Sequence, residues 1–137
     1  MAFYFLLFLI IFIIVMSLRT LFLPSALQEK YISWQSFVYL LFIYSTLFIG
    51  FGLIYFLLMQ IGLEVLIENG QKIDSRKLYE LQSSLYFSGV TLFSIGYGDL
   101  SPVGYGRFIA IMEGMIGYTI PASFVVRTVI DFRKDQT

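Results

Sequence analysis

Three long apolar segments leave this chain few ways to fold. From Ala2 to Met16 no residue is charged, and comparable runs lie at about Ser36–Leu66 and Phe108–Ile130. Hydrocarbon offers the backbone no water, so each N–H and C=O must find a partner inside the segment, as in a helix, or in neighbouring protein. At 1.5 Å per residue the first run spans only about 22 Å, short of a roughly 30 Å hydrocarbon core. Continued to Leu23 it reaches about 33 Å and takes in Arg19, whose long side chain reaches back to the interface. Pro24 then ends it. A cleaved signal peptide is the competing reading, but the basic leading residues and small-x-small cleavage site of such a peptide are missing. The second run, about 46 Å long as a helix, must tilt or protrude. Tyr31 and Trp34 lead into it, aromatics of the kind enriched at a membrane interface. Gly50, Gly52 and Gly62 within it either permit close helix contacts or are drift on a lipid-facing surface.

Composition agrees with lipid as the solvent. The chain is 58% hydrophobic and 13% charged, against roughly 25% charged in ordinary globular proteins. In water it would expose large apolar patches. Net charge is zero and no basic run is present, so nucleic acid is not an expected partner. The chain has no Cys and no His. Disulfides, thiolate or His-ligated zinc and His-based catalysis are therefore excluded.

Between the second and third runs the character changes. Glu68–Lys77 is charged and carries Asn69-Gly70, a turn signal, so it reads as an exposed loop. Leu78–Phe93 follows, moderately apolar and too short to cross a bilayer and return. It ends at Thr91-Leu92-Phe93-Ser94-Ile95-Gly96-Tyr97-Gly98-Asp99. A short polar, glycine-rich stretch at membrane depth is tolerated only where protein buries it or where it lines a wet cavity. The expected fold is an all-α membrane protein: an N-terminal apolar helix (1–24), a cytoplasmic linker (25–35), then outer helix, re-entrant pore helix with its loop, and inner helix (36–137).

That stretch resembles the selectivity filter of potassium channels, T-V-G-Y-G followed by Asp. The chain from about Phe37 to Ile130 resembles the pore module of the two-helix potassium channel family. Tyr86-Phe87, Thr91 and Pro102 match the family's pore helix and the Pro after its filter; Gly106-Arg107 and Gly117 match the start and hinge region of its inner helix. G-Y-G-D with Thr upstream, Pro downstream and long apolar flanks is a specific combination. The resemblance implies a homotetramer around a central pore in a lipid bilayer, bound K+ ions in the filter and no other cofactor. It implies K+ sites at the carbonyls of Ser94, Ile95, Gly96 and Tyr97, with Gly98 completing the filter and the Ser94 hydroxyl adding an inner oxygen. Neighbouring carbonyls of an extended chain point in opposite directions. Aiming them together needs unusual dihedrals, which Gly96 and Gly98 tolerate. Thr91 and Asp99 are expected to support the filter, the carboxylate also attracting cations, and Tyr86, Phe87, Phe93 and Tyr97 to form an aromatic cuff. Ser94 stands where the family usually has Thr, Ile95 where it has Val and Phe93 where Thr is common. The carbonyl pattern survives these departures, which bear on fine selectivity.

Further residues follow from the inner helix. Gly114, Gly117 and Pro121 make a hinge or a fixed bend, since Pro removes a helix hydrogen bond. Tyr118, Pro121, Ala122, Val125 and Val129 share one helical face and are expected to line the cavity, where a Val ring gates by dewetting. Glu113 is an intramembrane carboxylate and hence a functional candidate. It either supports the pore helix from behind, with gating then sensitive to pH, or faces the cavity. No segment carries regularly spaced Arg or Lys, so no voltage sensor is expected, and none of the chain beyond the inner helix reads as a regulatory domain. A filter facing outward puts the linker and the tail from Arg127 inside and the amino terminus outside. Basic residues divide too evenly to decide orientation themselves. The expected activity is passive potassium conduction across a cell membrane, prokaryotic given the small size. The alternatives are a non-selective cation channel of the same fold and a non-conducting subunit assembling with another channel; a separate regulatory subunit stays open. An enzyme reading, with the loop cradling phosphate, lacks the G-K-[ST] ending.

Overall fold

The computed structural model describes residues 2–21 and 34–134, with side chains over 2–19 and 37–126. Pro24, Tyr31 and the linker up to residue 33 lie outside the described residues. The elements run α1 (Ala2–Leu21), α2 (Trp34–Gln60), β1 (Leu66–Glu68), β2 (Gln71–Lys72), α3 (Lys77–Leu92), β3 (Leu100–Pro102) and α4 (Tyr105–Lys134). The protein is a mostly helical membrane protein. α1, α2 and α4 are each long and apolar enough to cross a bilayer, the N-terminal helix included. Tyr4, Phe5, Phe8 and Phe12 of α1 are exposed, an exterior that water would not tolerate and acyl chains match.

α2 is the central helix, packed by α1 on one side and α3 on the other. Leu47 and Tyr55 of α2 are fully buried, in one core with Ile10 and Ile14 of α1, Phe87 and Leu92 of α3 and Ile120 of α4. Two of the α2 glycines set these distances. A Cβ on Gly50 would lie 2.8 Å from the Ile14 side chain, and one on Gly52 would lie 3.1 Å from the Leu85 backbone. Without lipid-excluding pressure between helices, such close backbone approach is what association rests on. Gly62 has a different role. α2 stops at Gln60, short of the expected Leu66, and Gly62 turns the chain at φ +85° while its N–H bonds the Met59 carbonyl at 2.9 Å. A left-handed glycine just past the last turn is a standard helix stop.

The chain then forms a small antiparallel sheet of order β2-β1-β3. Asn69 and Gly70 both have positive φ, +48° and +79°, and join β1 to β2. This is the two-residue turn chemistry read from their sequence. β3 pairs on the other edge of β1, with Ile67 opposite Ser101. The expected loop is thus a ribbon that ties the end of α2 to the start of α4. The Tyr79 hydroxyl of α3 bonds both oxygens of the Glu68 carboxylate at 2.9 and 2.8 Å.

Candidate functional site

The filter stretch begins where α3 ends. The last carbonyls of a helix have no partners of their own, and here the filter supplies donors. Ser94 N–H bonds the Thr91 carbonyl at 3.0 Å. Ile95 and Gly96 N–H both bond the Val90 carbonyl, at 2.8 and 3.2 Å. With three successive amides turned back onto α3, the carbonyls of this stretch are left for other partners. Gly96 and Gly98 take φ of +58° and +83°, the unusual dihedrals that such a backbone needs. Ser94 also lies at +56°. A left-handed conformation is least tolerable for a β-branched side chain, so the missing methyl of Ser94 is an asset at this position.

Asp99 follows the filter and is anchored from three directions. Its carbonyl accepts the Asn69 N–H at 2.8 Å, the next residue enters β3, and its carboxylate lies beside the Tyr86 hydroxyl. Among the described residues, the buried Oδ1 of Asp99 has no hydrogen-bond partner. The four expected cuff aromatics do not act as one group within a protomer. Phe87 is buried and packs edge-on against Tyr55 of α2, centroids 5.2 Å apart. Phe93 stacks on Tyr44 of α2 at 5.5 Å. Tyr97 and Tyr86 remain at the surface.

Glu113 is fully buried behind α3 and does not face the groove described below. Tyr55 donates to its Oε2 at 2.9 Å, and Ser88 Oγ lies 2.5 Å from its Oε1. Ser88 Oγ is also 2.9 Å from the Phe48 carbonyl. Glu113 thus joins α4 to α2 and α3 at the level of the pore helix. Tyr55 and Ser88 carry no signal in the sequence that marks them as its partners.

On the other side of α4 an open groove of about 620 Å³ runs below the filter. Ser94, Tyr118, Pro121, Ala122 and Val125 all line it, together with Phe93 and residues of α2. Val129 lies in α4 beyond the described side chains. A Cβ on Gly114 would meet none of the described residues within 4 Å, whereas one on Gly117 would stand 2.1 Å from the Leu92 carbonyl oxygen. Gly117 is where α4 crosses the end of α3 with no room for a side chain. Tyr44, which the sequence reading missed, donates its hydroxyl to the Gly117 carbonyl at 2.6 Å.

A family model described as ion channel matches residues 54–134, from the second half of α2 through α4. Protein LctB of Geobacillus stearothermophilus is 41% identical over 115 residues, which cover 84% of this chain and 86% of that protein. Protein LctB of Bacillus caldotenax is 45% identical over 89 residues, 65% of this chain and 66% of that protein. No solved structure matches the chain.

Proposed function

The chain belongs to the ion channel family of the two-helix pore-module type, and from that premise we propose that it is a potassium-selective channel built from four copies. A passive ion channel follows from the family; the ion and the assembly are the further step. Four filter stretches would face one axis, with carbonyls of Ser94, Ile95, Gly96 and Tyr97 replacing the water shell of K+ and Gly98 closing the outer end. The observation that carries this is the amide arrangement at α3. Three consecutive N–H groups are spent on Thr91 and Val90, so the stretch is held by its donors and keeps its acceptors. The C-terminal end of α3, with its partial negative charge, backs the same stretch. Closure by further copies is supported by what one protomer leaves bare: Phe93, Ile95, Tyr97 and Tyr118 are exposed beside the filter and groove. Bacterial relatives agree with a place in the lipid bilayer of a prokaryotic cell membrane.

The test is flux through liposomes containing only the purified chain, with the reversal potential read under a potassium–sodium gradient. A reversal near the potassium equilibrium value is expected. A clear current reversing near zero would replace this reading with a non-selective cation pore. Ser94 is the residue to examine in that case, since it holds a left-handed φ of +56° where the family usually has Thr. A silent protein whose Pro121 and Val125 variants are also silent would make it a subunit of another channel.

A further inference from the structure

Pro121 lies inside α4, sixteen residues after its first residue Tyr105. Proline has no N–H, so the carbonyl four residues earlier loses its helix donor. That carbonyl belongs to Gly117. It is the one to which the Tyr44 hydroxyl of α2 donates, at 2.6 Å. Gly117 is buried, and at membrane depth an acceptor without a partner is costly because no water replaces it. The tyrosine therefore supplies the donor that the proline removed.

The same two residues reach the filter. The Tyr44 ring stacks on Phe93, centroids 5.5 Å apart and planes 16° from parallel, and Phe93 immediately precedes Ser94. Gly117 meets the Leu92 carbonyl so closely that a Cβ would stand 2.1 Å away. The outer helix, the end of the pore helix and the proline turn of the inner helix thus meet around one hydroxyl, at the wall of the groove beneath Ser94.

We propose that Tyr44 is a positioning residue for conduction: its hydroxyl caps the carbonyl freed by Pro121 and so holds the inner helix against the filter base. This rests on the reading of the chain as a conducting channel. Any movement of α4 about Pro121 that separates Gly117 from α2 must break this bond, so the bond biases the equilibrium between closed and open states. It leaves the filter carbonyls untouched, and ion selectivity does not depend on it.

The experiment is a double-mutant cycle in the full-length protein with Tyr44→Phe, Pro121→Ala and both together. Tyr44→Phe keeps the ring and its stacking and removes only the hydroxyl. Pro121→Ala restores a backbone N–H to the Gly117 carbonyl and makes the hydroxyl redundant. Losing the partner of a buried acceptor corresponds to roughly a five- to hundredfold change in an equilibrium constant. Single-channel records are expected to show Tyr44→Phe, made alone, moving the closed–open equilibrium by at least about fivefold. Made on top of Pro121→Ala, the same change should move it less than about twofold, because the carbonyl then has its own donor. Reversal potential, which the filter sets, should not differ between Tyr44→Phe and the wild type, nor between the double variant and Pro121→Ala. The thermal unfolding midpoint in detergent should follow the same pattern, lowered by Tyr44→Phe only when Pro121 is present. An equal effect in both backgrounds, or none in either, overturns the role of Tyr44. A wild-type protein that stays silent together with its Pro121 and Val125 variants would sink the conduction reading instead, and the unfolding cycle would still decide for or against the Tyr44–Gly117 pairing.

Discussion

Glu113 shows at the scale of a residue how hydrogen counting constrains chemistry. Ser88 has one hydroxyl proton, yet its oxygen lies within bonding distance of two acceptors, the Phe48 carbonyl and Glu113 Oε1. A proton on Glu113 resolves this: the acid donates to Ser88, Ser88 donates to Phe48, and Tyr55 donates to the other carboxyl oxygen. A glutamine offers the same pattern, with its amide N–H toward Ser88 and its oxygen toward Tyr55. Glu113→Gln is therefore expected to assemble and conduct within about twofold of the wild type, since no buried group loses a partner. Glu113→Leu strands the Tyr55 hydroxyl, at roughly 1–3 kcal/mol, while Ser88 keeps the Phe48 carbonyl, and is expected to lower the unfolding midpoint in detergent. Equal stability of the Gln and Leu variants would refute the network. The sequence marked Glu113 because a carboxylate in an apolar helix is rare. It did not reveal the partners, because one serine and one tyrosine among so many look like any others until three helices are superposed.

Helices were the legible elements. The apolar runs, the Asn69-Gly70 signal and the G-Y-G-D motif placed the helices to within a few residues, except the end of α2, which stops at Gln60 and not at the expected Leu66. The ribbon was not legible, because strands of two or three residues are too short to display alternation. Its register depends on contacts across more than thirty residues, Leu66 with Pro102 and Glu68 with Leu100. It matters for the site because it holds Asp99, where the filter stretch ends, through the Asn69 N–H. Its most exacting contact is with α4. A Cβ on Gly106 would stand 2.1 Å from the Val65 carbonyl oxygen, and that carbonyl also accepts the Val103 N–H at 2.9 Å. Neither atom can retreat without breaking the pairing of β1 with β3. Gly106→Ala is expected to destabilise the protein by about 1–3 kcal/mol. Thermal unfolding in detergent measures it, and an unchanged midpoint would mean that the ribbon is not held against α4. Amide exchange at Val103 should accelerate in the same variant.

For the whole molecule the open matter is what α1 adds to a pore module. The family match begins at residue 54 and does not include it. Its inward side chains, Ile10 and Ile14, pack into the core beside Gly50 of α2, on the side of α2 away from α3. Most of its remaining surface is apolar and exposed. Among the described residues, no side chain of α1 reaches the filter, Glu113 or the groove below Ser94, whose walls come from α2, α3 and α4. Because lipid tails are as apolar as the side chains they replace, helix contacts in a bilayer depend on packing and not on expulsion of water. Removing α1 exchanges Ile14 for an acyl chain at Gly50, a far smaller loss than exposing the same surface to water. A chain lacking residues 2–21 is therefore expected to form the same assembly and give the same reversal potential as the full chain. Its unfolding midpoint in detergent should fall, since the fitted Ile14–Gly50 contact is gone. A changed reversal potential in the shortened chain would show that α1 shapes the conduction path. An assembly that falls apart would place α1 between neighbouring copies, where it would hold the outer helices together. The packing of α1 on α2 favours neither, because it leaves α3, α4 and the filter complete without it.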